Sequence, residues 1–280
     1  MRKRLAFALV MMVAASVAVA DDLVLPIFAL HWPGKSGNRW TSEIFLTNPG
    51  SRTVRFRGMT VLPGVVETSV PCLPPIPEYR EVPPYTTVML SAMDLFLALG
   101  CPDKVLGGLT FTTDGPARIS SRIVNERGGT GTGGPLAGLG QDLPAFSGAE
   151  LSLPGTVYQL PGLLWDPLRC ARPPAFEVYL YLVNPSDTPT QVTLQQSRNG
   201  RPDKLVINGT PVDTPHTFTM QPQEWRQLRV EYGGALPAVC AGPMVVDLFF
   251  VAQGGVAVVG SVVDRSSQDP RTVLPVRTSD

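Results

Sequence analysis

The chain has 280 residues, of which 44% are hydrophobic and 16% are charged, so it can build an apolar core and is not a disordered protein. Its 23 basic and 23 acidic residues balance, which argues against a basic nucleic-acid-binding protein. It contains 29 prolines and 27 glycines, a fifth of the sequence. Because proline removes a backbone donor and breaks helices, this composition predicts short strands and turns.

The first twenty residues predict a secretory signal peptide. Basic residues at positions 2–4 precede an apolar run at 5–19, and the small-residue pattern Ala-Val-Ala at 18–20 favours cleavage after Ala20. The run is shorter than the ~18 residues that a membrane-spanning helix needs, and no later stretch is apolar enough to span a bilayer. Loss of the three basic residues leaves 20 of the 23, against 23 acidic residues. We therefore expect a secreted or periplasmic protein.

The predicted elements of the mature chain are mostly strands. Alternation of apolar and polar residues at 53–57, 117–123 and 191–195 indicates strands with one buried face. One helix is predicted at residues 91–100, with a capping box at its start and a glycine at its end. The continuous apolar runs at 245–251 and 256–263 indicate strands buried on both faces, or strands at a contact between domains.

Turn sequences separate these strands. Asn48-Pro49 and Asn184-Pro185 are typical of turns, and Asn208-Gly209 is typical of a two-residue hairpin. Short strands broken by proline and glycine favour a sandwich or a barrel over alternating strands and helices. The expected fold class is therefore all-β.

The two halves of the chain repeat each other with an offset of about 135–139 residues. The motif Asn-Pro recurs at 48–49 and 184–185. An ungapped register then aligns these pairs: Cys101 with Cys240, Leu109 with Leu248, Phe111 with Phe250, and Gly115 with Gly254. We predict two tandem β-sandwich domains at residues 21–127 and 150–280, with one short helix in the first, joined by a Gly/Pro-rich linker at 128–149.

Four cysteines, an even number, predict two disulfides in an oxidising compartment. They are Cys72, Cys101, Cys170 and Cys240. Four cysteines allow three pairings, and we favour Cys72–Cys101 with Cys170–Cys240 because each bridge then stays within one half of the chain. The alternative is that the cysteines are reduced and buried as small apolar residues.

Four short motifs occur in order along nearly the whole mature chain. They are residues 37–42 leading to Asn48-Pro49, the pair Pro83-Pro84, residues 182–185, and residues 261–270. On these motifs the chain resembles uncharacterised secreted bacterial proteins with tandem immunoglobulin-like β-sandwich domains. The resemblance implies an immunoglobulin-like fold and a compartment outside the cytoplasm, and it supplies no catalytic residues.

The polar face of the first domain is a candidate anion-binding surface. Arg55 and Arg57 project from one predicted strand, and Arg118 and Arg122 project from another. If these strands are neighbours, the guanidinium groups line one sheet and would pair with carboxylates or sulfated glycans. The alternative is an ordinary solvated face with charges that protect the edge of a sheet.

The four tryptophans are candidates for a carbohydrate platform, although core packing is the commoner role of large aromatic side chains. They are Trp32, Trp40, Trp165 and Trp225.

The sequence singles out no catalytic residues, cofactor or metal ion. His31 and His216 are the only histidines, and no Gly-x-Ser-x-Gly elbow provides a nucleophile. The cysteine spacings match no zinc pattern, and no calcium loop is present. The glycine-rich residues 128–134 are followed by Pro135 rather than by a helix, so they do not predict a phosphate-binding loop.

We therefore expect a non-enzymatic binding or structural module of the cell envelope, whose partner is an unknown protein or glycan. The alternative is an envelope-associated hydrolase with an unrecognised carboxylate site. An enzyme would have a concave pocket with converging carboxylates, whereas a binding module would present flat faces or an exposed apolar patch.

Overall fold

The computed structural model describes residues 22–34, 39–62, 64–67, 79–126, 140–165, 176–198, 201–233, 244–265 and 270–278. The predicted signal peptide, residues 127–139 and three of the four cysteines (Cys72, Cys170 and Cys240) lie outside these residues.

The described residues up to 150, here called the N-terminal half, form two antiparallel sheets. The elements are β1 (Asp22–Leu30), β2 (Trp32–Pro33), β3 (Arg39–Asn48), β4 (Val54–Val61), β5 (Val65–Glu67), β6 (Tyr79–Val82), β7 (Thr86–Leu90), α1 (Ala92–Ala98), β8 (Lys104–Thr113), β9 (Arg118–Asn125), β10 (Gly140–Pro144), β11 (Phe146–Ser147) and a 3-10 helix at Gly148–Glu150. Sheet A has the order β11-β1-β8-β4-β6, with β5 also paired to β8. Sheet B has the order β10-β9-β3-β2, with β7 also paired to β3.

The described residues from 151 onward, here called the C-terminal half, form two further antiparallel sheets. The strands are β12 (Val157–Trp165), β13 (Phe176–Val183), β14 (Thr190–Arg198), β15 (Arg201–Asp203), β16 (Leu205–Ile207), β17 (Thr210–Val212), β18 (His216–Met220), β19 (Trp225–Tyr232), β20 (Met244–Ala252), β21 (Ala257–Asp264), β22 (Pro270–Val273) and β23 (Val276–Arg277). Sheet C has the order β15-β14-β20-β12-β23, with β18 also paired to β14. Sheet D has the order β17-β16-β19-β13-β21-β22.

Each half buries one apolar core between its two sheets. In the N-terminal half, Leu25 and Phe111 of sheet A pack with Ile44 of sheet B. In the C-terminal half, Phe250 of sheet C packs with Leu180 of sheet D. Because side chains alternate between the faces of a strand, each sheet needs only every second residue to be apolar to close its core. The predicted all-β sandwich is confirmed, and its immunoglobulin-like assignment stays a prediction.

The strand pairing of the two halves follows the predicted repeat. Leu25 of β1 pairs with Leu109 of β8, and Leu160 of β12 pairs with Leu248 of β20. The register shifts directly after each pair, between residues 25 and 28 and between residues 160 and 163. Both shifts contain a proline, at 26 and 161, which has no N–H for the ladder and therefore suits a bulge.

The two Asn-Pro motifs hold equivalent turns. Asn48 and Asn184 are fully buried, and each donates through its Nδ2 to backbone carbonyls of two segments distant from each other. The Oδ1 atom of each accepts the backbone N–H two residues later. The amide thus replaces backbone hydrogen bonds that the turn cannot make, which is the known use of asparagine in turns. Asn48 and Asn184 therefore have a structural role, which is to hold the two turns.

Two local predictions are confirmed. Helix α1 begins after Ser91, which forms a capping box with Asp94, and the chain turns at Gly100 with φ of +76°. The reciprocal bonds to Ser91 lower the pKa of Asp94. Asn208 and Gly209 both have positive φ, as the hairpin between β16 and β17 requires.

Two segments differ from their predictions. Residues 140–147, predicted as linker, form β10 and β11, which pair with β9 and β1. In β20, Val245 and Phe249 point outward from sheet C and only alternate residues are buried, so this run is not buried on both faces. In β21, every residue from 257 to 262 is buried. The difference arises because sheet D, unlike sheet C, has the N-terminal half on its outer side.

Candidate functional site

The outer face of sheet D packs against the N-terminal half. Tyr181 of β13 and Val259 of β21 belong to the apolar core of the N-terminal half. The Trp225 indole Nε1 donates to the carbonyl oxygen of Pro26 at 2.8 Å. Pro26 lies in the bulge of β1, where the ladder is interrupted, so its carbonyl is available to a partner from the other half.

A cavity of about 330 Å³ opens along this contact. We call it the cleft and define it by the six lining residues that carry its chemistry: Trp32, Trp40, Gln141, Glu177, Tyr179 and Ser261. Three of these residues come from the N-terminal half and three come from the C-terminal half. The cleft therefore exists only when the halves pack together, and its volume lies in the range of small-ligand sites in proteins.

One wall of the cleft is a tryptophan pair. Trp32 of β2 and Trp40 of β3 are direct partners across the two strands, and both are partly exposed. Cross-strand partners on an antiparallel pair place their side chains on the same face. The sequence thus builds a two-ring aromatic surface from two short strands.

A cluster beside this wall fixes the turn between β1 and β2. His31 has a φ of +51°, a left-handed conformation that histidine tolerates better than most residues. Its Nδ1 lies 2.6 Å from Oε1 of Glu126, which also accepts the hydroxyl of Thr41. Arg39 Nε lies 3.3 Å from the other carboxylate oxygen. Glu126 therefore ties the ends of β1, β3 and β9 together.

The opposite wall comes from alternate residues of β13. Val178 and Leu180 face the C-terminal core, so Glu177 and Tyr179 face the cleft. The Tyr179 hydroxyl donates to Oε2 of Glu177 at 3.1 Å, and Arg265 Nε lies 3.6 Å from Oε1. Glu177 is only 7% exposed, so this carboxylate is held inside the protein by a hydroxyl donor and a guanidinium group.

Burial raises the pKa of two tyrosines that line the cleft, and the neighbouring carboxylate raises the pKa of one of them further. Burial, followed by the charge of Glu177 and its hydrogen bond, raises the pKa of Tyr179 to about 12. Burial also raises the pKa of Tyr181, whose hydroxyl accepts a hydrogen bond from Gln227 at 3.3 Å. Both phenols are therefore neutral hydroxyl groups at physiological pH.

The base of the cleft contains an incompletely bonded amide. Gln141 is 3% exposed, and its Oε1 accepts the hydroxyl of Ser261 at 3.1 Å. Among the described residues, its Nε2 has no hydrogen-bond partner. A buried donor without an acceptor is costly, and such groups in native structures call for an explanation.

The four predicted anion-binding arginines are not brought together. Arg55 and Arg57 lie on β4 of sheet A, whereas Arg118 and Arg122 lie on β9 of sheet B, so they do not line one sheet. The Nε of Arg55 lies 3.2 Å from Glu81, and Arg122 donates to Glu43 at 3.0 and 2.6 Å. Binding of an anion by these residues stays a prediction that their arrangement does not support.

The tryptophans of the predicted carbohydrate platform have different roles in the structure. Trp32 and Trp40 line the cleft, and Trp225 holds the contact between the halves. The side chain of Trp165 is not among those that the structure describes. Cys101 is disulfide-bonded, and because the other three cysteines lie outside the described residues, the pairing stays a prediction.

The remaining cleft residues were missed by sequence reasoning. Gln141 lies in a segment whose composition predicts a linker, and Glu177 and Tyr179 lie in a strand with no catalytic or ligand motif. The alternation of Glu177, Tyr179 and Tyr181 with Val178 and Leu180 was the available sign of a second, semi-polar face.

Within the described part of the chain, no group of three or more His, Cys, Asp or Glu side chains is placed to hold a metal ion. No helix there is long and apolar enough to cross a membrane.

No protein-family model matches the chain, and no curated protein matches it. Among solved structures, it is similar to the C-terminal domain of the antigen I/II-family protein AspA from Streptococcus pyogenes. The sequence identity is 9%, the match covers 94% of this chain and 100% of that one, and the TM-score is 0.23.

Proposed function

We propose that the chain is a non-enzymatic binding module of the cell envelope, secreted or periplasmic, and that its ligand site is the cleft between the two halves. The observation that carries this proposal is a concave site with two tryptophans on one wall and buried polar groups at its base and opposite wall. Apolar walls with a few placed polar groups are typical of sites that hold a small molecule or the end of a chain.

The cleft is suited to binding rather than to hydrolysis. Of the described residues that line it, Glu177 alone carries a carboxylate, whereas glycoside hydrolysis generally uses two. Tyr179 and Arg265 already engage that carboxylate. Outside the cleft, His31 and Glu126 are a described histidine and carboxylate in contact, but the hydroxyl of Thr41 is bonded to Glu126 and not to the imidazole. Neither arrangement favours the hydrolase alternative.

The proposed location of the protein, secreted or periplasmic, is supported by its sequence. The layout of residues 1–20 supports export, and an even number of cysteines supports an oxidising compartment. The proposed bridges are Cys72–Cys101 and Cys170–Cys240, which peptide mapping of the non-reduced protein would test.

The test is a binding titration of the mature chain, residues 21–280, monitored by tryptophan fluorescence and calorimetry. The probes are neutral disaccharides, digalacturonate, choline and tri-proline. We expect at least one to saturate below about 10 mM, and we expect Trp40→Ala to abolish that binding. Tyr85→Ala removes a 74% exposed ring outside the cleft and should leave binding unchanged. Absence of saturation by every probe, or equal binding by Trp40→Ala, would refute the proposal.

A further inference from the structure

The free donor of Gln141 identifies what a ligand of the cleft has to offer. Its amide is nine-tenths buried or more, its Oε1 is occupied by Ser261, and its Nε2 has no partner among the described residues. Nε2 itself has almost no surface open to the cleft, so a ligand oxygen meets it after a small turn of the Gln141 side chain; that contact removes an existing penalty and also adds a hydrogen bond. The site is therefore built for a ligand with hydroxyl or carbonyl oxygens.

The charges around the cleft favour a neutral ligand. Glu177 is buried, so an anionic ligand would place a second negative charge beside a desolvated carboxylate. Arg265 lies 3.6 Å from the same carboxylate and offsets its charge, so a cationic ligand would have to compete with an existing partner. The two tyrosine hydroxyls remain protonated and add no charge.

The aromatic wall favours a ligand with a flat apolar face. Trp32 and Trp40 are adjacent and partly exposed, so their rings present apolar surface to whatever occupies the cleft. A sugar ring combines such a face, made by its axial C–H groups, with a rim of hydroxyl groups. Its two sides would match the tryptophan pair and the polar groups at the base and opposite wall.

We propose that the cleft binds a neutral saccharide, with its ring against Trp32 and Trp40 and one of its oxygens accepting a hydrogen bond from Nε2 of Gln141. This inference rests on the proposed function and names the ligand class of the same site. A proline-rich peptide would also fit the aromatic wall, and its carbonyl oxygens are acceptors, but prolines have no backbone N–H to donate to the carboxylate of Glu177, whereas a saccharide hydroxyl both donates and accepts.

The test compares affinities of the mature chain for four neutral disaccharides (cellobiose, maltose, lactose and di-N-acetylchitobiose) with those for digalacturonate, choline and tri-proline. We expect at least one neutral disaccharide to bind, and digalacturonate and choline to bind at least tenfold more weakly. Gln141→Met keeps the length of the side chain and removes the donor, so it should weaken the saccharide about tenfold. Gln195→Met, a matched change on β14 outside the cleft, should have no effect.

The outcomes separate this inference from the proposed function. If only choline, digalacturonate or tri-proline binds, and Trp40→Ala abolishes it, the saccharide assignment is wrong and the binding cleft stands. If a disaccharide binds equally well to Gln141→Met, whose fold is verified by its unfolding transition, the role of Gln141 is wrong. If no probe binds, both proposals fail.

Discussion

Replacement of Gln196 by methionine should stabilise the protein. Gln196 lies on the inward face of β14 with Val192 and Leu194 and is fully buried. Among the described residues, neither its Nε2 nor its Oε1 has a hydrogen-bond partner. Unlike Gln141, it does not line the cleft, so no ligand of that site would supply the missing bonds.

The size of the effect follows from the cost of burying an amide without partners. That cost is about 1–3 kcal/mol in proteins, and methionine has the same unbranched length without the polar atoms. We therefore expect Gln196→Met to raise the free energy of unfolding by about 1–3 kcal/mol. For a protein of this size, each kcal/mol raises Tm by about 2–4 °C. Urea unfolding and calorimetry would measure both quantities.

Gln195→Met is the matched control, because Gln195 is the preceding residue of β14 and faces the opposite, partly exposed side. Its effect should stay within about 0.5 kcal/mol. If Gln196→Met instead destabilises the protein by about 1 kcal/mol or more, the amide has partners in solution, such as an ordered water, and the reasoning is refuted.

Three further predictions concern residues whose roles the structure defines. Asn184→Ala removes a buried amide that bonds Thr188 and Gln221, and it should lower the free energy of unfolding by about 2–3 kcal/mol in urea. Trp225→Phe removes the hydrogen bond to Pro26 and should cost about 1 kcal/mol in the same assay; an unchanged value would mean that this bond adds nothing to the contact between the halves. Because the pKa of Tyr179 is raised to about 12, the folded state keeps a proton that the unfolded chain loses near pH 10, so the free energy of unfolding should fall between pH 10 and 12. Tyr179→Phe should reduce this slope and leave the part that Tyr181, whose pKa is also raised, contributes.

The sequence predicts those parts of the fold that local rules determine. Helix α1 is specified by its capping box and terminal glycine, and the hairpin at Asn208-Gly209 is specified by two residues that tolerate positive φ. The repeat gives the register of β8 and β20 through matched leucine and phenylalanine positions. Each of these patterns is contained in a short segment or in a comparison of two segments.

The cleft is not predictable in this way, because it is made by contact between segments far apart in sequence. Gln141 and Ser261 are separated by 120 residues, and their hydrogen bond joins the two halves of the chain. The segment around Gln141 is rich in glycine and follows a linker-like stretch, so composition hides the pairing of β10 with β9. Glu177 and Tyr179 form no motif by themselves, and they become a site only opposite Trp32 and Trp40.

A sequence difference between the two copies of the repeat nevertheless indicates which surface lies between the halves. Strand β9 and its counterpart β21 pair equivalently, with β3 and with β13. At three outward positions, β9 has Arg118, Ser120 and Arg122, whereas β21 has Ala257, Val259 and Ser261. The β21 residues are at most 1% exposed, because this face of sheet D lies against the N-terminal half. The β9 positions are partly or fully solvated. Arg118 and Arg122 of the predicted anion face thus lie on the copy whose surface is not covered, and the apolar run of β21 lies on the equivalent surface that is covered.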